Sequence, residues 1–462
     1  MANQKNNDQK VTPKPSGIPS EPNEKTGFYQ STLTQLKRKP IIIGLAVALL
    51  IIGGTIAYIA IRPHKNNIVT SQRSASSGLP PCHSATATGC DKSQLPPAGS
   101  NGSVGCKGKG PATITASPIA IADLAYIQPM GLEIGGHVTP IDHGYFYIKG
   151  VFAKPAAIAP VYAPLDGIVT SVTRTVRNNA TNSGTLDDNA ITIEATCTFR
   201  VRFSNMLKFA GGLGQKVGQL PDNQSTNPDY AVKSGELIGY TGLPTANGID
   251  VWVENDQSTL TGFINPAQYT ASESWKTHVV DLFDYTKEPL KDQLLALDER
   301  DASPRWGKID YDQDGKLIGS WFRVGSGGYA GLMPNTAAAS DGHLSVVPDG
   351  NDPEQTDISF GDYQGQPQQF AVVGNTPNPA TVDQSSGLIK YGLGQIEHYS
   401  ADTGQSWDEM QYLPHIKTKA GSAVGTVLMQ LVGKRSLKME IFPGKTAVQV
   451  SGFDANALMY ER

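Results

Sequence analysis

The sequence predicts a mainly β protein: one N-terminal transmembrane helix, then two successive β-rich domains, the second sandwich-like. Three observations point there. Ile41 to Ile61 is an unbroken apolar run without a charge. The chain holds 49 Gly and 31 Pro among 462 residues, a composition that favours turns and short strands over helix bundles. From residue 113 onward it breaks into short runs rich in Val, Ile, Thr and Phe, bounded by Gly, Pro, Asn and Asp.

Residues 1–40 carry Lys, Asn, Gln, Pro and Ser with almost no apolar content, as expected of a disordered cytoplasmic tail. The 21 residues of 41–61 would make a helix of about 30 Å, the thickness of a bilayer core. A cleaved signal peptide has a shorter apolar stretch and a small-residue cleavage site, both missing here. Seven Lys/Arg precede Ile41, against Arg62, Lys65, Arg73 and Lys92 after it. The excess places the N-terminus in the cytoplasm and residues 62–462 outside, in a single-pass arrangement. Residues 62–112 are low in large apolar groups and read as a flexible extracytoplasmic linker. Cys82, Cys90 and Cys106 lie in it and Cys197 beyond it; a Cys82–Cys90 loop and a Cys106–Cys197 staple suit an oxidising compartment, but spacing does not decide pairing.

Two β-rich blocks follow, 113–275 and 305–462, joined over 276–304. In that joint, 282–300 is the one good helix candidate, with Leu290, Leu294 and Leu297 on one face. A net charge of −4 with no basic stripe argues against nucleic acid as a partner.

The first block contains phrases in a distinctive order: Asp142-His143-Gly144-Tyr-Phe-Tyr147, Val161-Tyr-Ala-Pro-Leu-Asp-Gly-Ile-Val169, Val232-Lys-Ser-Gly-Glu-Leu-Ile-Gly-Tyr-Thr-Gly242, Gly248-Ile-Asp-Val-Trp-Val-Glu254 and Ile264-Asn-Pro266. In the third, Ser234-Gly235 supplies a turn, and Gly239 and Gly242 allow close backbone approach. This order resembles the lysostaphin/LytM-type (duplicated hybrid motif) zinc endopeptidases over about residues 130–270. The resemblance implies a zinc held by two His and one Asp, with a further His assisting proton transfer. His143 matches the first ligand. Tyr147 stands where the carboxylate is expected, Asp250 and Trp252 where the paired histidines are, and Asn205 where a strand-end histidine is. His143 and Asp250 are thus the remaining candidates for a vestigial zinc site, with His137 six residues before His143. The implied reading is a degenerate scaffold that has lost its peptidase site, so zinc is not expected.

In the second block Asp310, Asp312, Asp314 and Gly315 match the first half of an EF-hand-type calcium loop, but Trp321 occupies the twelfth position, which needs a Glu. The residues read either as a hairpin turning at Asp314-Gly315 or as such a hairpin bearing calcium. Phe322, Tyr329, Trp407 and Tyr412 read as sandwich core or as an aromatic platform for glycan or peptide. No other cofactor is suggested. The expected function is a membrane-tethered, non-catalytic envelope protein that binds, docks or regulates at the cell wall or cell surface. Its partners would be the membrane itself and a cell-wall component or envelope protein. A divergent zinc endopeptidase acting on envelope peptides and a cell-surface adhesin are the alternatives. Protease added to intact cells is expected to degrade residues 62–462; full protection of that part would contradict the topology.

Overall fold

Alternation is the local rule that builds the first sheet. Strands β1 (Leu124–Gln128), β2 (Gly144–Ile148), β3 (Ile158–Tyr162), β4 (Gly167–Asn178), β5 (Thr185–Thr196), β6 (Phe199–Met206), β7 (Lys208–Phe209), β8 (Gln224–Thr226), β9 (Tyr230–Val232), β10 (Leu237–Gly242) and β11 (Gly248–Asn255) form the first lobe. The large sheet runs β1-β2-β11-β6-β5-β4-β8, with β9 also on β4, and all its ladders are antiparallel. A smaller sheet runs β3-β10-β7. Phe146, Ile249, Val251, Val253, Val201 and Phe203 point to the core face, as period 2 requires. The intervening positions put Tyr145 opposite Asp250, Asp250 opposite Ser204, Trp252 opposite Arg202 and Glu254 opposite Arg200. One face is therefore apolar and the other carries Tyr145, Asp250, Trp252 and Glu254 of the sequence phrases.

The computed structural model describes residues 100–178, 185–243, 245–332, 339–408 and 411–462. The tail, the apolar run 41–61, most of the linker, Cys82 and Cys90 lie outside the described residues. Among the described residues no helix is long and apolar enough to cross a membrane.

Strands β12 (Gly319–Arg323), β13 (His343–Pro348), β14 (Thr356–Tyr363), β15 (Gln366–Val372), β16 (Ile389–Ser400), β17 (Ile416–Gly433), β18 (Ser436–Pro443) and β19 (Leu458–Glu461) close into an eight-stranded barrel. The expected sandwich is corrected here. Pairing of Phe322 with Glu461 and of Arg323 with Tyr460 joins the first strand to the last and removes both edges. Sandwich and barrel share the same alternating pattern, so only this long-range pairing separates them. Leu344, Val346, Phe360, Leu393, Val427 and Met429 fill the interior.

The helix expected over 282–300 is replaced by a 3₁₀ turn (Leu282–Tyr285) and a six-residue helix (Leu290–Leu295). Thr286 between them is extended, and Pro289 disfavours helical geometry in the residue before it. Lys287 donates to Ile114 and Ile114 to Tyr285, so tertiary hydrogen bonds take this stretch instead. The helix is thus shorter than expected, and the two β blocks pack directly. Phe322 from the barrel lies in the first lobe's core, and Trp407 stands edge-on to Tyr126, 5.8 Å between ring centres. Phe322 and Trp407 are thus buried, and Tyr329 and Tyr412 half-buried against the first lobe: these aromatics are core and junction.

The expected hairpin at Asp314-Gly315 is also corrected, because Gly307–Asp312 forms no strand. Asp310 and Asp312 both bond the segment 262–264, whereas Asp314 meets Arg435. Asp310 accepts from Gly262 N at 2.7 Å, Asp312 from Ser320 N at 2.9 Å, and Asp314 from Arg435 Nε at 3.1 Å.

The linker is pinned earlier than residue 112. Asn101 N donates to Asp256 at 2.6 Å, Ser103 N to Glu194 at 2.9 Å, and Cys106 is bonded to Cys197 across 91 residues. Cross-linking a loop of that length restricts the unfolded chain substantially. Cys197→Ser is expected to lower unfolding free energy by about 2–4 kcal/mol, read as a shifted urea midpoint. An unchanged midpoint would mean that segment 100–112 adds nothing to the lobe.

Candidate functional site

The polar face of β2, β11 and β6 carries the positions the resemblance assigns to the metal. Gly239 lets the smaller sheet approach the large one, since a side chain there would run into Met206 of β6, and Gly242 sits at φ 140°. Thr241 on the same strand donates to Asn205 O at 3.0 Å and Gly248 O at 2.8 Å, fixing where β11 begins.

Asp142 and His143, each 7% exposed, precede β2. His143 Nδ1 lies 2.9 Å from Asp142 Oδ1, and its Nε2 lies 4.0 Å from Asp250 Oδ2. The His137 ring is 5.9 Å from that of His143. So His143 and Asp250, the two candidates, do come together. The remaining positions do not supply ligands. The Trp252 indole lies over His143 with ring centres 4.1 Å apart, and Tyr147 stacks on Tyr126 at 4.6 Å. Asn205, held at φ 60°, gives its Nδ2 to Asp250 Oδ1 at 2.7 Å, while Ser204 donates to Asp250 Oδ2.

Sequence reasoning missed the second half of the site, which arrives from residues 273–276 and from the barrel. Trp252 Nε1 donates to Asp142 Oδ1 at 3.0 Å and Trp275 Nε1 to Asp142 Oδ2 at 3.1 Å. Lys276 Nζ, on a residue 2% exposed, stands 3.6 Å from Asp142 Oδ2. The same ammonium donates to Tyr329 OH at 2.9 Å, and Tyr329 donates to Glu273 at 2.8 Å. No local signal marks Lys276, since a lone lysine in a polar stretch reads as a surface residue. Two further cations occupy aromatic and acidic partners nearby: Arg202 lies over Trp275 at 4.6 Å, and Arg200 is buried between Glu254 and Asp256.

Burial opposes charge on Asp142. The Lys276 ammonium and the His143 and Trp252 hydrogen bonds outweigh it and hold the carboxyl well below its usual range. Burial likewise opposes charge on Lys276, yet Asp142, Tyr329 and Glu273 hold its ammonium well above the usual range. Burial pushes His343, which also lines the cleft, down to about 4.

These residues do not fit the zinc that the resemblance implies. Asp142 already receives two indole N–H groups, an imidazole and an ammonium. Asp250 receives an amide and a hydroxyl. His143 and Asp250 are two groups where tight zinc binding needs three or four. Nor do they form a nucleophilic site, because His143 Nε2 faces a carboxylate rather than a hydroxyl or thiol. What the arrangement leaves is a cleft of about 460 Å³ between the lobes, lined by His137, Trp252, Trp275, Lys276, Tyr329 and His343. Its charges are internally paired and its rings are exposed to a partner only in part.

Lys276→Met would strand Asp142 as a buried charge and is expected to cost about 3–5 kcal/mol in a urea melt. Adding Asp142→Asn should recover part of that loss; full additivity of the two changes would show that the pair does not interact. His343 is neutral when folded and charged below about pH 6.5 when unfolded. The stability it contributes is present above pH 6.5 and lost as pH falls toward 4, about 3 kcal/mol in all. His343→Gln should flatten that part of a pH–stability curve.

No protein-family model matches the chain, and no curated protein matches it. Among solved structures it is similar to a chain in "Structure of the SpoIIQ-SpoIIIAH pore forming complex", at 9% identity over 39% of this chain and 95% of that one, with a TM-score of 0.21. A likeness of that size carries no argument.

Proposed function

We propose that this chain is a membrane-tethered, extracytoplasmic protein whose peptidase-like lobe serves as a non-catalytic binding or docking module at the cell envelope. The observation that carries this reading is the closed bonding around Asp142. Of the ligand positions that the sequence phrases point to, Tyr147, Trp252 and Asn205 offer no zinc ligand, Asp250 already accepts from Asn205 and Ser204, and His143 keeps only its Nε2. The apolar run 41–61 and its flanking charges support the tether, and the Cys106–Cys197 bond suits an oxidising compartment. The cleft left between the barrel and the first lobe, lined by aromatic rings, supports an interaction role.

Metal analysis and peptidase assays of the purified full-length chain test the reading. The expected outcome is zinc affinity weaker than micromolar and no cleavage of envelope peptides. Tyr147→Asp, Asp250→His and Trp252→His together would be needed before zinc binds. Stoichiometric zinc in the unmodified chain, with cleavage abolished by His143→Ala, would establish the divergent endopeptidase instead.

A further inference from the structure

The junction between the first lobe and the barrel buries carboxylates that have no cation of their own. The segment following β1 crosses the outer face of β13 and β14. A side chain on Gly350 would meet the Leu132 backbone at 3.0 Å, and Gln369 Nε2 donates to Gly135 O at 3.0 Å. Glu133 is carried into this junction with both carboxylate oxygens buried, and the Ser345 hydroxyl of the barrel face is the polar side chain that reaches it. Across from it, Asp357 is 3% exposed, with Oδ1 unpartnered and its carboxyl hydrogen-bonded to that of Asp349. Asn351, 3% exposed on the adjoining turn, leaves both amide atoms unpaired. Buried polar groups are nearly always satisfied, so so many exceptions at one junction need a physical account.

The surrounding charges are committed elsewhere. Arg300 Nη1 donates to Gly350 O and its Nε to Pro304 O at 2.8 Å. Lys417 is taken by Asp352 at 3.0 Å and Glu354 at 2.8 Å. His398 stands 3.5 Å from Asp349, whose other oxygen accepts from Asn351 N, Asp352 N and Thr418 Oγ1. Tyr311, the remaining titratable neighbour, is neutral: burial pushes its phenol up to about 12. Despite burial, His398 and the Asp352 N–H keep Asp349 ionised, down to about 2. Glu133 and Asp357 therefore face a fixed negative charge with no cation. A bare ionised carboxylate there costs far more than taking up a proton.

We propose that protons on Glu133 and Asp357 hold the lobe–barrel junction closed, and that the junction loosens as pH rises and these groups ionise. Burial and Asp349 push both carboxyls upward, in the direction this requires. Glu299 meets the barrel loop at Leu413 N, 3.4 Å away, and repeats the arrangement: burial pushes it up to about 9 despite that hydrogen bond, with Asp298 and Asp301 adding repulsion. The sign follows from linkage. Once the junction opens, an exposed Glu or Asp ionises above about pH 4, whereas the closed state keeps its proton. Each such group then raises the opening constant by up to about tenfold per pH unit.

Amide hydrogen exchange of the purified full-length chain, corrected for intrinsic rates, reads this opening. Protection of residues 131–141 and of β13–β14 should fall at least about tenfold between pH 6 and pH 9. Glu133→Gln with Asp357→Asn, which mimics the protonated pair, should hold the pH 6 protection at pH 9. The wild-type titration alone decides if that variant fails to fold. Constant wild-type protection from pH 6 to 9, or an equal fall in a folded double variant, would overturn the proposal. So would restoration of wild-type protection at pH 9 by millimolar calcium or magnesium, which would make a cation the missing partner.

Discussion

A carboxylate taken out of water must be given back its hydrogen bonds and a compensating charge, and Asp142 receives both from four different directions. His143 comes from its own segment, Trp252 from the central strand of the sheet, and Trp275 and Lys276 from the stretch leading toward the barrel. Lys276 passes the constraint on to Tyr329 and Glu273. Buried ion pairs tolerate little error, since the desolvation cost is offset only when the geometry is complete. The placement of the sheet, the connecting stretch and the barrel therefore depends on a single buried anion.

The bonding around Asp142 is also the reverse of what a metal site requires. Zinc would supply positive charge and demand acceptors; a lysine supplies positive charge and three donors, and its partners must accept. Indole N–H groups at Trp252 and Trp275 complete a donor set around a carboxylate, the inverse of an acceptor set around a metal. Asn205 and Ser204 do the same for Asp250. The polar face of the sheet is a packed junction, and Arg200 and Arg202 extend its pairing toward the Cys197 end.

The barrel contributes in two ways. Its closed ladder removes free edges, and Arg462, whose guanidinium lies 3.9 Å over the Trp321 ring beside Asp312, holds the closing strand against the loop before β12. Its outer face, with Asp349, Asp357 and Ser345, then meets Glu133. Opposite charges knit the Asp142 side of the junction, whereas acids without cations lie at the other, so the two halves answer pH differently.

Much of the strand content was legible because alternation is local: Gly248 to Glu254, for example, reads as a half-buried strand, and Asp250 and Trp252 fall on one face by period alone. The turn phrases at Asp166-Gly167 and Ser234-Gly235 were equally legible, and Ser234 N does bond Asp166 at 2.9 Å. The absence of a full ligand set was visible in Tyr147, Trp252 and Asn205. Tertiary structure alone decided the rest. Closure of the barrel rests on Phe322 meeting Glu461, and the split of 282–300 on hydrogen bonds to Ile114. Lys276 and Glu133 look like surface residues because burial of a charge is set by what packs over it, and what packs over each comes from the other block of the sequence.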